Sequence, residues 1–329
     1  MKKQLLLGLI FTLLGGIVCG QHLIRVNNNA GADPDYTTLQ AANDAASNGD
    51  TIYIEGSTTE YAEANISKRL IIIGPGYFLT ENDSTQANGL EATFQGAIQF
   101  AQGSAGSIIT GCSFNWYGGI EIAVNDITVA RCNPYSINST ADLNNILIVQ
   151  NYVRNIISFS HKVTNSIIAN NIVHYGISAS SGSGPLQIIN NIIIYSSHIS
   201  AFNSSIANNI ISNISGDISV NTGNTITNNI FAKTGTNANG NIYNVNMANV
   251  FVDFSGSLNY SDDAKWKLKT GSPAIGAGVS GVDCGVFGGS TPYVLSGMPN
   301  LPHIYEAAIP GTAYSDKGLA CTIKVKSGK

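Results

Sequence analysis

A short motif recurs along this chain at an interval of about twenty residues. The segments IITGCSF, ITVARCNP, ILIVQNYV, SIIANNIV, QIINNII, SIANNII, TITNNIF and NMANVF share one column. That column holds Cys112, Cys132, Asn151, Asn171, Asn191, Asn209, Asn229 and Asn249, at spacings of 20, 19, 20, 20, 18, 20 and 20. Two residues later stand Phe114, Pro134, Val153, Val173, Ile193, Ile211, Phe231 and Phe251. Three residues earlier stand Ile109, Val129, Ile148, Ile168, Ile188, Ile206 and Ile226, then Asn246. A repeat of this kind dictates architecture before any single residue does. Twenty residues are too few for two packed helices, and β-branched runs disfavour helix. The fixed leucines of a leucine-rich repeat are absent. What remains is an all-β chain coiled as a parallel β-helix of about ten turns, right-handed by the general preference of parallel crossovers.

Stacked coils lie about 4.8 Å apart, so each column becomes a ladder of like side chains. Aliphatic columns fill a dry interior. An inward asparagine at a bend can bond the turn backbone and the rungs above and below it, which satisfies buried polar groups. The second asparagine of each Asn-Asn pair is therefore expected in a buried ladder, with the first turned to solvent. Cys112 and Cys132 fall on adjacent rungs of that ladder, either as small buried apolar residues or as a disulfide.

The ends have a different texture. Residues 1–20, two lysines then an apolar run then small residues, read as a secretory signal peptide, so the mature chain is expected to be exported: extracellular, periplasmic or held at the cell surface. Cys19 raises the rival reading of a lipid-modified cysteine, although Gly16 and Val18 fit a lipobox poorly. Residues 21–50 read as an N-terminal cap. In DYTTLQAANDAASNGD, Thr37 and Gln40 suit a capping box, Leu39, Ala42 and Ala46 make one apolar face, and Asn48-Gly49 ends the helix. The coil is then expected over 51–290. A C-terminal appendage, 291–329, follows, rich in proline at first and strand-like later.

The opening DYTTLQAANDAASNGDTIYIEG followed by ISKRLIIIGPGYF resembles that of the pectate-lyase-like right-handed parallel β-helix superfamily. GSPAIGAG and DCGVFGG resemble the closing motif of many secreted bacterial β-helix proteins, polysaccharide lyases included. The resemblance spans most of residues 22–290 and implies fold far more than activity. The enzymes of that superfamily use clustered carboxylates or a basic residue beside calcium-holding acids, projecting from adjacent coils.

Such parts are scarce here. Charged residues make up 11% of the chain against 43% hydrophobic, and the net charge is -4. No basic footprint for nucleic acid is present, and no segment after the leader is apolar for long enough to span a bilayer. Between residues 100 and 255 the acids are Glu121, Asp126, Asp142, Asp217 and Asp253, and no two share a column on neighbouring rungs. Asp262-Asp263 reads as solvated loop charge. One outer patch stands out: Tyr135, Arg154 and His174 in the column three residues after the ladder, with Tyr152 beside them. Aromatic faces and basic or amide donors suit sugars. The patch is either a glycan-binding groove or polar residues that happen to share a solvated face. Trp116, Tyr175 and Tyr195 share the next column, at a bend whose direction the sequence leaves open.

The expected function is a non-catalytic scaffold that binds polysaccharide or adheres to a cell envelope. It needs no cofactor and no metal. The alternative is a polysaccharide lyase or other glycan-processing enzyme of the same superfamily, with calcium. A last feature is an outward apolar stripe of Ile172, Ile192, Ile210 and Ile230, which soluble monomers avoid. The chain after Thr291, or a second subunit, is expected to cover it.

Overall fold

The structure is a computed structural model that describes residues 22–195, 198–312 and 318–327. The leader at 1–20 and Cys19 lie outside the described residues. Ten parallel strands, from Leu23–Val26 to Thr225–Thr227, form the longest sheet. Its central column runs Ile24, Ile52, Ile72, Ile109, Val129, Ile148, Ile168, Ile188, Ile206 and Ile226 in unbroken register. A second parallel sheet of eight strands stacks Ile98, Ile120, Ile137, Ile157, Ile177, Ile199 and Ile218. A third, of five two-residue strands, runs from Tyr152–Val153 to Ile230–Phe231. The chain is a parallel β-solenoid, and the inward faces of its sheets share one core.

The Asn-Asn pairs form the corner between the first and third sheets, one residue for each task. The first member takes the left-handed backbone conformation. Asn170, Asn190, Asn208 and Asn228 have φ of 54, 56, 59 and 55°, with Gln150 and Arg131 at 59 and 51° on the earlier rungs. Among residues with a Cβ, asparagine tolerates that region best. The second member turns inward. Asn151, Asn171, Asn191, Asn209 and Asn229 are fully buried. Each passes its amide to the next rung's oxygen at 2.9–3.0 Å. The ladder ends on Asn241, not Asn249: Asn241 Oδ1 accepts from Asn229, while Asn249 lies in a 3-10 turn, Met247–Asn249. After Phe231 the next turn is shorter, with Asn241 twelve residues beyond Asn229 and Ile242 beside Ile230, so the twenty-residue spacing overshoots that rung. At the other end Cys132 N–H donates to Asn151 Oδ1 at 2.9 Å, and Cys112 and Cys132 are buried free thiols.

The first asparagines do not face solvent. Asn170, Asn190 and Asn208 are buried because the chain returns over them. Asn170 Nδ2 donates to the carbonyls of Val286 and Gly288, both at 2.8 Å. Asn190 Nδ2 reaches Asp283 and Gly285 at 3.0 and 3.2 Å, and Asn228 Nδ2 reaches Ala277 at 3.0 Å. Gln150 holds the Pro292 carbonyl at 2.6 Å and Arg131 that of Met298 at 2.8 Å. Residues 277–298 thus form a strap laid back along the solenoid, gripped rung by rung.

Under this returning chain the outward isoleucines are buried. Ile172, Ile192, Ile210 and Ile230 form a second core with Val250, Phe251, Trp266, Ala274, Cys284 and Val286. The cover comes mainly from chain before Thr291; of the expected appendage, Tyr293 joins it. The last strand of the coil sheets is Ile230–Phe231, well before the expected boundary at 290.

At the other end a helix spans Leu39–Ala45, with Leu39 and Ala42 in the main core. Thr38, not Thr37, caps it, accepting from Ala41 N–H at 3.2 Å. Gln40 instead bonds Asp44 at 2.7 Å and the backbone of Asn65 at 2.8 Å. Beyond the strap, His303–Ala308 and Thr322–Lys326 pair as an antiparallel ribbon. Its Ile304 carbonyl accepts from Ala87 N–H at 2.7 Å, so it sits beside the early coils. No helix among the described residues is long and apolar enough to cross a membrane.

Candidate functional site

The four residues singled out from sequence lie on consecutive rungs at the outer end of the third sheet. Tyr152 opens the first strand of that sheet and is buried in the second core. Phe78, from the excursion between Ile73 and Thr93, packs edge-on to its ring at 5.2 Å. The Tyr152 hydroxyl lies 3.1 Å from His174 Nε2, so this phenol positions the imidazole and presents no face to solvent.

Arg154 is half-buried, and its guanidinium does not point outward. Nη2 donates to the carbonyls of Phe114 and Asn115, two rungs away, the second at 2.5 Å. Its Cζ lies 5.7 Å from the centre of the Trp116 ring, a cation–π distance. Asn115 completes the anchorage: Oδ1 accepts from the N–H groups of Tyr117 and Gly118, both at 3.1 Å, and Nδ2 donates to Glu60 at 3.2 Å. Arg154 and Asn115 therefore fix a turn whose tip carries Trp116, 71% exposed, and Tyr117, 89% exposed. Tyr135, half-buried, occupies the rung between this turn and Arg154.

His174 continues the face. Its ring meets Tyr195 edge-on at 5.3 Å, and Tyr195 meets Tyr175 at 5.1 Å. Tyr175 and Tyr195 are 48% and 45% exposed. Burial, helped by the nearby Lys265 ammonium, lowers the His174 pKa from 6.5 to about 4, so the imidazole is neutral at physiological pH. The result is a line of rings across several rungs: Trp116 over Arg154, then His174, Tyr195 and Tyr175.

Other groups beside this line come from outside the repeat, and nothing in its columns announces them. Glu91 accepts from Phe78 N–H at 2.7 Å, and burial pushes its carboxyl up, against the pull of Ser113, Phe78 and Arg154. Lys265 pairs with Asp262 at 2.7 Å. Asp263 is not solvated charge: it is fully buried and accepts from Ser261 Oγ and Ser296 N–H at 2.7 Å and from Asn82 Nδ2 at 3.0 Å. It ties the Phe78 excursion to the strap. Among the described residues no three His, Cys, Asp or Glu side chains gather at metal-binding distance.

Comparison with protein-family models, with curated proteins and with solved structures finds no match to this chain. Fold and site geometry define it as a parallel β-solenoid with a strap-covered corner and an aromatic outer face.

Proposed function

We propose that this chain is an exported or cell-surface scaffold that binds polysaccharide along its aromatic face without cleaving it. The observation that carries this reading is the built turn at Trp116-Tyr117. Two large rings are left bare to solvent, yet the backbone beneath them is fixed by Arg154 and Asn115. A rigid, exposed aromatic surface loses little entropy when a flat apolar sugar face stacks on it. Tyr175 and Tyr195 extend the platform along the solenoid axis, the direction in which a linear glycan would lie. The resemblance of the opening and closing motifs to the pectate-lyase-like superfamily agrees with a glycan ligand. The test is retention of the purified chain on a panel of insoluble polysaccharides, with Trp116→Ala/Tyr117→Ala as comparison. Retention that the double variant lacks supports the reading; retention by nothing on the panel sinks it.

A specific observation also favours a second reading. His174 is a neutral imidazole beside the Tyr152 hydroxyl, and a neutral imidazole can take a proton. On a uronate polymer that pairing would serve a lyase. Ultraviolet-absorbing unsaturated product, formed by the chain with calcium and abolished by His174→Gln, would establish lyase activity over the scaffold.

A further inference from the structure

We infer that the aromatic face selects uncharged polysaccharide and discriminates against polyuronates. The inference rests on the glycan-binding reading and names the ligand class of that same site. It follows from where the charges around the face are already committed. A polyuronate carries one carboxylate per sugar, and its recognition calls for cations with free donors, arginine forks above all. The cation nearest the platform is Arg154. Its Nη2 is spent on two backbone carbonyls, its Nε is buried without a hydrogen-bond partner, and its charge faces both the Trp116 ring and the buried Glu91 carboxyl. Moving that guanidinium to a ligand would unlock the turn that carries Trp116 and Tyr117.

The remaining groups point the same way. His174 carries no charge at neutral pH, and its Nε2 is engaged with Tyr152. Lys265, the other cation acting on His174, is paired with Asp262. The outward carboxylates beside the ring line lie at the Trp116 turn and near His174. Glu60 accepts from Asn115 beneath the Trp116 turn, and Asp262 is the more exposed partner of its ion pair. A polyanion laid along these rings meets carboxylates, and the one named cation outside an ion pair, Arg154, is tied to the Phe114 and Asn115 carbonyls. A neutral chain meets bare ring faces. From Trp116 to Tyr195 the platform crosses four rungs, about 19 Å at the usual spacing of stacked strands, enough for several successive sugar rings.

The experiment measures retention of the full chain on neutral glycans (cellulose, xylan, mannan) and on calcium-gelled pectate and alginate, each at low and high salt. Retention on at least one neutral polymer, unchanged by salt, with little on either polyuronate, is the expected result. Trp116→Ala/Tyr117→Ala should weaken it by about tenfold or more, the scale of losing one or two aromatic stacking contacts. Both side chains are exposed, so unchanged thermal unfolding of this variant confirms that the loss is local. Salt-sensitive retention on polyuronate alone would overturn the inference and leave the glycan-binding reading standing. Retention on no polymer would remove both. Neutral-glycan retention that survives the double substitution would place the site elsewhere and overturn the inference.

Discussion

The side-chain oxygen of Asn171 accepts two hydrogen bonds from Asn151, one from its backbone N–H at 3.0 Å and one from its side-chain amide at 2.9 Å. The Asn171 amide reaches back to the Ile148 carbonyl at 2.9 Å and onward to Asn191 Oδ1 at 2.9 Å. One side chain thus serves three turns of the coil, and the same pattern recurs from Asn171 to Asn229. Nothing apolar could replace it without orphaning groups that water cannot reach.

Replacing Asn191 by leucine tests this directly. The substitution leaves the N–H of Asn171 without its partner, takes from the Asn171 amide one of its two acceptors, and removes the side-chain donor from the Ile168 carbonyl. A buried polar group left unpaired costs about 1–3 kcal/mol, so the loss of stability should be at least of that order. Chemical denaturation of the variant and the parent chain measures it. An unchanged midpoint would show that the ladder contributes no net stability.

The corner residue before the ladder makes a different prediction, because backbone and side chain can be separated there. Asn170 supplies a left-handed φ of 54° and donates to the Val286 and Gly288 carbonyls. Asn170→Gly keeps the conformation and loses those bonds together with the one its Oδ1 accepts from Thr291 Oγ1, at about 0.5–1.5 kcal/mol each. Asn170→Ala loses the bonds and adds about 1–2 kcal/mol for placing a Cβ in the left-handed region. Alanine should therefore be the more destabilising by that margin in thermal unfolding. Equal effects would mean that the corner can relax out of its left-handed turn.

This division of labour shows what the sequence made legible and what it did not. The register of the solenoid could be read to the residue, from Ile109 to Ile226, because a stacked coil repeats its environment every turn and selects like side chains. The ladder was readable for the same reason, and so was the need to cover Ile172, Ile192, Ile210 and Ile230. The partner of each column was not. Asn170 and Asn190 look like solvent-facing turn residues because the strap that buries them is aperiodic and about a hundred residues away. Asn249 stays outside the ladder because the last turn is short and Asn241 takes the rung that the twenty-residue period assigns to it. At the candidate site the repeat columns put Arg154 and His174 on adjacent rungs, but the pull of Phe114 and Asn115 carbonyls on Arg154 depends on rotamer, which spacing does not encode. The exposure of Trp116, Tyr175 and Tyr195 depended on the direction of a bend that the sequence left open.

The neutral state of His174 carries a pH signature. Its pKa is 6.5 in an unstructured chain and about 4 in the fold, so between those values the unfolded chain binds more protons. The stability this residue contributes is fully present above about pH 6.5 and is lost as pH falls towards 4. His174→Gln removes that dependence. Melting temperatures compared across this window should converge for parent and variant as the pH is lowered. A constant difference from pH 7 to pH 4 would show that His174 titrates normally and is not held neutral by its burial.

The strap makes the last prediction, and truncations at two places distinguish its parts. Removing everything after Pro299 deletes the exposed ribbon His303–Ala308 and Thr322–Lys326 but leaves Val286, Cys284 and Tyr293 over the isoleucines. Removing everything after Ser272 takes away Ala274, Cys284, Val286 and Tyr293 together, and with them the carbonyls held by Asn170, Asn190 and Asn228. Burying one isoleucine stabilises by roughly 1.5–3 kcal/mol, so even a partial uncovering of four is comparable with the net stability of a domain. A bare apolar stripe on a sheet face also invites association. The shorter truncation is expected to melt near the parent temperature, keep the parent's elution volume and bind no additional hydrophobic dye. The longer one should bind dye strongly and associate on size-exclusion chromatography. If both behave like the parent, the isoleucine stripe does not depend on the strap for its cover. If both associate, the ribbon, and not the strap alone, shields apolar surface, and the division of the tail at Pro299 is wrong.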